Sequence, residues 1–371
     1  MADVVVSGDG TVRVSGAAEP GSDFTRAVLD VAGATLSWPD VTALGVPDAE
    51  IHDVSRAQQW LWAVYGENVA TAVHTADGAR VVAEETELAR VAARLALGYW
   101  AARWWPASQL DGIPALAPEL LGLELAALTH QCQQLFDDVL DQPDDLVAEL
   151  IEEHEAAIEP LVQWWRAARL EPVERVLRLV DAAADVVGLD SEPLRRLRSA
   201  LDDPGTSADL GSLFAPQSDF ALAAGDSGAT GRVMARGTAV NDWRRYPPGF
   251  VDAAEDAVTW IARATGARRR IEVNAVAGHL SPAVPLAADV RIGDGPANRV
   301  PLAKHDDLWT GQAEIAVTAN SRIDVGVLLP GFDPGPGEDT RAERDTIRDF
   351  ARERLAAADP FLAEIVAASG D

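Results

Sequence analysis

The sequence predicts an α+β protein: a mainly helical N-terminal domain with a short β-hairpin start, then an antiparallel β-sandwich-like domain with a terminal helix. Three observations carry this expectation. From about residue 53 to 202, apolar residues recur at three- and four-residue steps, the period of a helix with one buried face. From about 232 to 327 they alternate with polar residues, the period of strands buried on one side. Between the two lies a breaker-rich stretch, Asp203-Pro204-Gly205-Thr206-Ser207 through Pro216 to Ser218. The expected division is therefore a helical domain over 1–203, a linker over 204–218, and a β domain over 219–371.

The elements follow in order. Val4-Val5-Val6 and Thr11-Val12-Arg13-Val14 flank Ser7-Gly8-Asp9-Gly10, and Asp-Gly between β-branched runs signals a hairpin. Helical patterning then begins with Trp60, Leu61, Val64 and Val69, and resumes with Leu88, Val91, Leu95 and Trp100. Pro106, Pro114 and Pro118 punctuate the chain before a helix from Glu119 to Leu135. A further stripe runs from Leu146 to Trp165, with a break or new start at Pro160. Helices are expected at Pro172–Val187 and at Pro193–Leu201, the second capped by Ser191. Strands are expected at 232–237, 270–276, 283–292, 312–317 and 322–327, interrupted by a helix over Pro248–Ala264. Thr340–Ala367 reads as a last helix or a broken pair, since Asp359-Pro360 can start a new one.

Charge narrows the functional classes. The 371 residues hold 59 Asp+Glu against 31 Lys+Arg, a formal net charge of −28, which repels phosphate backbones and anionic membrane surfaces alike. The expectation is no nucleic acid and no membrane. The start of the chain lacks the basic and apolar regions of a signal peptide. The single cysteine, Cys132, allows no intramolecular disulfide, so a reducing cytoplasm is the expected compartment. Residues 131–204 carry 18 acids and 7 bases, the densest negative charge in the chain.

Several short patterns carry possible chemistry. Gly225-Asp226-Ser227-Gly228 resembles the nucleophile motif of trypsin-like serine proteases, and Thr71-Ala72-Val73-His74 the segment around that family's base histidine. The resemblance implies two β-barrels, whereas strongly helical sequence separates His74 from Ser227. Ala229 also stands where the family has a second glycine, so the four residues read as turn chemistry. Ten carboxylates lie between Asp137 and Glu159 without a Lys or Arg, but neither His130 nor His154 has Glu three residues before it, the pairing that helix-bundle di-metal sites use. That span reads as a solvated acidic face, and His154 as a packed helix histidine. His130 and Cys132 are two apart on a helix and diverge by about 200°, a poor nucleophile–base geometry. Lys304-His305-Asp306-Asp307 offers acid–base residues on a loop. Glycines at 225, 228 and 231 lack the spacing of a phosphate loop. No metal and no cofactor is expected.

The tryptophans point further. Trp60 and Trp62, Trp100, Trp104 and Trp105, and Trp164 and Trp165 fall in the helical region, and neighbours on a helix diverge by about 100°. Each close set therefore cannot face one core. Trp104-Trp105-Pro106 ends a helix, which leaves an indole near the surface. Exposed Trp and Arg are frequent anchors of protein interfaces, while packing between helices is the competing role. The candidate binding residues are Trp100, Trp104, Trp105, Arg244 and Arg245. The functional expectation is a cytoplasmic, non-catalytic adaptor or scaffold that binds a protein or peptide. The alternative is a hydrolase or transferase with its site at the junction of the two domains. Partner, oligomeric state and pathway stay open.

Overall fold

A computed structural model describes residues 2–7, 10–16, 22, 24–75, 79–136, 143–202, 231–280, 284–314, 322–332 and 340–369. The protein is a mixed helix-and-sheet chain with antiparallel sheets. It divides into two compact units, and the division is discontinuous. The first comprises residues 1–102, 116–215 and 354–371, and the second 103–115 and 216–353. The sequence pattern predicts one crossing at 204–218; a short segment around Trp104 groups instead with the second unit, and the C-terminal residues group with the first. All of 204–218, and the Gly225–Gly228 motif with Ser227, lie outside the described residues.

Among the described residues the first unit opens with six strands: β1 (Ala2–Val6), β2 (Val12–Ser15), β3 (Ala27–Val31), β4 (Ala34–Trp38), β5 (Asp48–Ile51) and β6 (Ala79–Val81). They form one antiparallel sheet in the order β3-β4-β5-β2-β1-β6. The expected hairpin is present, with Val6 opposite Val12, but it is one part of this larger sheet. Alternation sets its buried face: Leu29, Leu36, Trp38, Val14 and Ile51 are all buried. The helices described in this region are α1 (Val54–Tyr65), α2 (Glu67–Thr75), α3 (Glu87–Trp104), α4 (Pro118–Gln131), α5 (Gln133–Phe136), α6 (Pro143–His154), α7 (Ile158–Ala168), α8 (Glu171–Val186) and α9 (Glu192–Asp202). A short 3-10 turn at Glu155–Ala157 separates α6 from α7, so the chain breaks just before Pro160.

Local chemistry explains the boundaries. The Asp53 carboxylate caps α1 by accepting from the Arg56 amide at 3.2 Å, a contact worth about 1 kcal/mol. Gly33 (φ 72°) stands in the turn between β3 and β4, which packs on the start of α1: a Cβ there would lie 2.3 Å from the Asp53 carbonyl. Along α8, Val173, Val176, Leu177, Val180, Ala183 and Ala184 are buried at helical spacing, and Glu174 pairs with Arg178 on the outer side. In α4 the ten residues from Leu120 to Thr129 are buried on every side, as in a helix surrounded by others. Small residues permit those approaches. A Cβ on Gly98 would lie 2.5 Å from the Leu125 side chain, and one on Gly122 would lie 2.0 Å from the His154 ring.

The second unit contains β7 (Arg232–Thr238), β8 (Val258–Thr265), β9 (Arg268–Val276), β10 (Ala287–Ile292), β11 (Asn298–Pro301), β12 (Ala303–His305), β13 (Leu308–Glu314) and β14 (Ile323–Leu328), followed by α10 (Arg341–Arg354). Five strands run in the order β12-β13-β9-β8-β7 and three in the order β11-β10-β14, all antiparallel. One hydrophobic cluster draws on both sheets, joining Val258, Ile271 and Val273 to Val290, Val300 and Val327. The helix expected over Pro248–Ala264 is not formed. Val258–Thr265 is a strand instead, with Trp260 opposite Val273 and Ala262 opposite Ile271. Val258, Trp260 and Ala262 alternate inward, and pairing along β9 overrides the helical propensity of the alanines.

The final helix, α11 (Leu362–Ala368), belongs to the first unit rather than to the β domain. Buried Glu124 of α4 accepts from the Leu362 amide at 2.8 Å and from Arg94 at 2.7 Å. Arg94 also bonds Asp359 at 2.6 Å and lies 4.5 Å from the centre of the Phe361 ring. Among the described residues no helix is long and apolar enough to cross a membrane.

Candidate functional site

The site lies wholly within the second unit, and its first wall is the segment that follows α3. That helix ends in Arg103 and Trp104, and Pro106 two residues on cannot extend it. The backbone turns back on itself, and Ser108 and Ile113 exchange both backbone hydrogen bonds, at 2.8 and 2.7 Å. Trp105 is buried, and its indole donates to the Pro114 carbonyl at 2.9 Å.

The second wall is the segment between β7 and β8. A short 3-10 turn, Trp243–Arg245, is capped by Asp242, which accepts from the Arg244 amide at 3.1 Å. Tyr246-Pro247-Pro248-Gly249 follows. Gly249 adopts φ 81°, and a Cβ there would fall 2.5 Å from the His279 ring, so only glycine fits this place.

A buried polar network joins the two walls. Asp252 is 1% exposed and accepts from the Ser108 hydroxyl at 2.7 Å, the Gln109 amide at 2.7 Å and the Ala254 amide at 2.9 Å. Asn241 donates to the carbonyls of Asp252 and Ala254 at 2.8 and 2.9 Å, and accepts from the Tyr246 hydroxyl. The Ala253 amide donates to the Ala107 carbonyl at 3.1 Å. Each buried carboxylate oxygen is thus satisfied by neutral donors, which makes the network a rigid support. Behind it, Arg348 donates to the Ala253 carbonyl and lies 5.6 Å from the Trp243 ring centre. Glu255 neutralises Arg344 at 2.6 Å and Arg348 at 3.3 Å, and the two guanidiniums hold its carboxyl below the usual range despite burial, which acts the other way.

These walls line a small, partly open pocket with a cavity volume of about 20 Å³. Trp104, Trp105, Trp243 and Tyr246 line it with Pro106 and Pro248. Arg103 is the one charged residue among the described residues that line it. Its guanidinium stacks on the Trp104 ring at 3.7 Å and lies 5.2 Å from the centre of Phe332. Small-molecule sites usually enclose about 300–1,000 Å³, so this space, room for about one water molecule, is far smaller than such a site. The arrangement can pack an apolar group against the half-buried Trp104 ring and set a single positive charge beside it.

The structure brings together two of the five residues expected to bind. Trp104 and Trp105 line the pocket, whereas Trp100 is a core residue of the first unit, its indole donating to the Phe24 carbonyl at 2.7 Å. Arg244 and Arg245 flank the pocket in sequence but spend their charge elsewhere: Arg244 is buried beside Asp242, and Arg245 pairs with Asp289 at 2.8 Å. Arg103, Trp243 and Tyr246 are not among the expected residues. The cluster Trp243-Arg244-Arg245-Tyr246-Pro247-Pro248 is the sequence signal for the last two.

The other patterns find structural places. Cys132 is buried at the end of α4, and burial pushes its thiol up to about 12, which leaves it protonated and unreactive. His154 packs against Gly122. Lys304-His305-Asp306-Asp307 forms the β12–β13 hairpin, with His305 opposite Leu308 and Asp306 at φ 51°. Part of the acid-rich span, residues 137–142, lies outside the described residues. Among the described residues no group of three or more His, Cys, Asp or Glu side chains is placed to hold a metal ion. Compared with protein-family models, with curated proteins and with solved structures, the sequence and its fold match none.

Proposed function

We propose that this protein is a cytoplasmic, non-catalytic adaptor or scaffold, and that its second unit, read as a β-sandwich-like module, grips a protein or peptide through the pocket at Trp104, Trp105 and Trp243. The observation that carries the reading is the convergence of three indoles and a tyrosine from two distant segments onto one small pocket with a rigid polar support. Aromatic side chains bury large area for little lost conformational freedom, which is why they dominate binding hot spots. Aromatic-lined grooves with proline at their edges are also a recurrent way of holding extended peptides. The lone cysteine supports the cytoplasmic part of the reading.

The test is an array of N-acetylated hexapeptides probed with the purified full-length protein. Trp104→Ala is expected to weaken the retained peptides at least about tenfold, the size of a binding hot spot. Trp62→Ala, at an exposed indole of the first unit, is expected to leave them unchanged. Peptides held equally by the Trp104 variant, with both variants folded by circular dichroism, would remove the pocket from the binding surface.

A further inference from the structure

Arg103 is the pocket residue whose electrostatics are incomplete. Among the described residues its buried Nη1 has no hydrogen-bond partner and no carboxylate pairs with it. Its neighbours are rings, Trp104 on one side and Phe332 on the other. Four other buried or half-buried arginines of the same unit have a carboxylate partner. Arg344 and Arg348 share Glu255, Arg245 has Asp289, and Arg244 has Asp242. Burial lowers the tendency of Arg103 to hold its charge, the direction expected of a cation set in apolar surroundings without a counter-ion. Stacking on indole supplies part of the missing stabilisation and leaves the planar N–H fork uncommitted.

We infer that Arg103 is the anion anchor of this pocket, and that the partner is a peptide segment presenting a carboxylate next to an apolar residue. The inference rests on the peptide-binding reading and adds the chemistry of its ligand. The apolar residue packs against the half-buried Trp104 ring beside the pocket, and the carboxylate takes the guanidinium N–H groups. A charge-assisted pair shielded by aromatic rings is stronger than the same pair in open water, because the surrounding dielectric is lower. Selectivity follows from the same unpaired group: a neutral peptide in the pocket buries Arg103 further without supplying an acceptor. The carboxylate can come from an Asp or Glu side chain or from the C-terminus of the peptide, and both present the same two oxygens.

Three matched sets of N-acetylated hexapeptides separate these outcomes. One carries a single Glu and a C-terminal amide, one has a free C-terminal carboxylate and no acidic side chain, and one has neither. The full-length protein is expected to bind peptides of the first or second set about tenfold or more tighter than their neutral counterparts. The set that is retained identifies the source of the carboxylate. Arg103→Gln is expected to abolish that preference while still holding the apolar residue weakly, and Arg103→Lys to restore part of it. If the wild-type protein binds the neutral set as tightly, or if Arg103→Gln keeps the preference, the anchor assignment is overturned although the pocket still binds peptide. If no set is retained, the binding reading falls as well. Thermal unfolding of each variant confirms that the comparison is made between folded proteins.

Discussion

Ser108 and Asp252, 144 residues apart in the sequence, meet inside the second unit: the hydroxyl donates to Oδ1 of the carboxylate at 2.7 Å, and the adjacent Gln109 amide donates to Oδ2 at the same distance. This pair fixes the Trp104–Trp105 segment against the strand connection that carries Trp243 and Tyr246. The pocket exists because these two segments are held together.

Removing the carboxylate should therefore loosen the pocket before it unfolds the protein. Asp252→Ala strands the Ser108 hydroxyl and two amides in a site that is 1% exposed. Unsatisfied buried donors cost about 1–3 kcal/mol each, so the second unit should lose about 3 kcal/mol or more. Urea unfolding followed by the fluorescence of Trp243 and Trp105 measures this. A loss under about 1 kcal/mol would mean that water replaces the carboxylate freely.

Glu255 gives the second unit a defined response to acid. Its pairing with Arg344 and Arg348 depresses its carboxyl in the folded state, so unfolding takes up a proton as the pH falls below the usual glutamate value. The stabilisation is complete above about pH 5 and is lost as the pH drops through the folded value. Glu255→Gln should destabilise the unit by about 3–5 kcal/mol at pH 7, because Arg344 and Arg348, 2% and 4% exposed, both keep their charge and lose the carboxylate they share. The same variant should show a shallower fall in stability below about pH 5. Parallel acid limbs for the two proteins would show that Glu255 is not the group that titrates.

Gly122 and His154 test the packing of α4 against α6 in the first unit. A methyl at 122 would sit 2.0 Å from the ring Cδ2 and 2.5 Å from Cγ, so the whole imidazole must move. Gly122→Ala gains up to about 1 kcal/mol in helix propensity and loses about 1–3 kcal/mol to overpacking, a net destabilisation of about 1 kcal/mol. Adding His154→Ala vacates the space. The double variant is expected to be more stable than the sum of the two single changes, as thermal melts in a double-mutant cycle would show. Additive effects would place the two residues out of contact.

The legible part of the fold is the part written in local periodicity. The three- and four-residue steps through Val173, Val176, Leu177 and Val180 mark α8, and Ser191 before α9 marks its cap, because helices are set by neighbours in sequence. The hairpin at Val6 and Val12 is legible for the same reason. Val258–Thr265 reads as helix because alanines and a preceding Pro-Pro pair mimic a helix start, and its state is decided by pairing with β9, which follows it.

By itself, the sequence determined the helical and alternating stretches, the excess of acid, and the helix end at Pro106 that sets two indoles beyond the core of α3. Tertiary structure alone decided which tryptophans share a pocket. Trp100 and Trp104 are four residues apart on one helix, yet the first lies in the core of one unit and the second lines the pocket of the other. Likewise Arg103 resembles every other arginine in the sequence, and its lack of a carboxylate partner among the described residues is a property of place. Hydrogen bonds from Ser108 to Asp252 and stacking on Trp104 act between side chains whose distance no local pattern encodes.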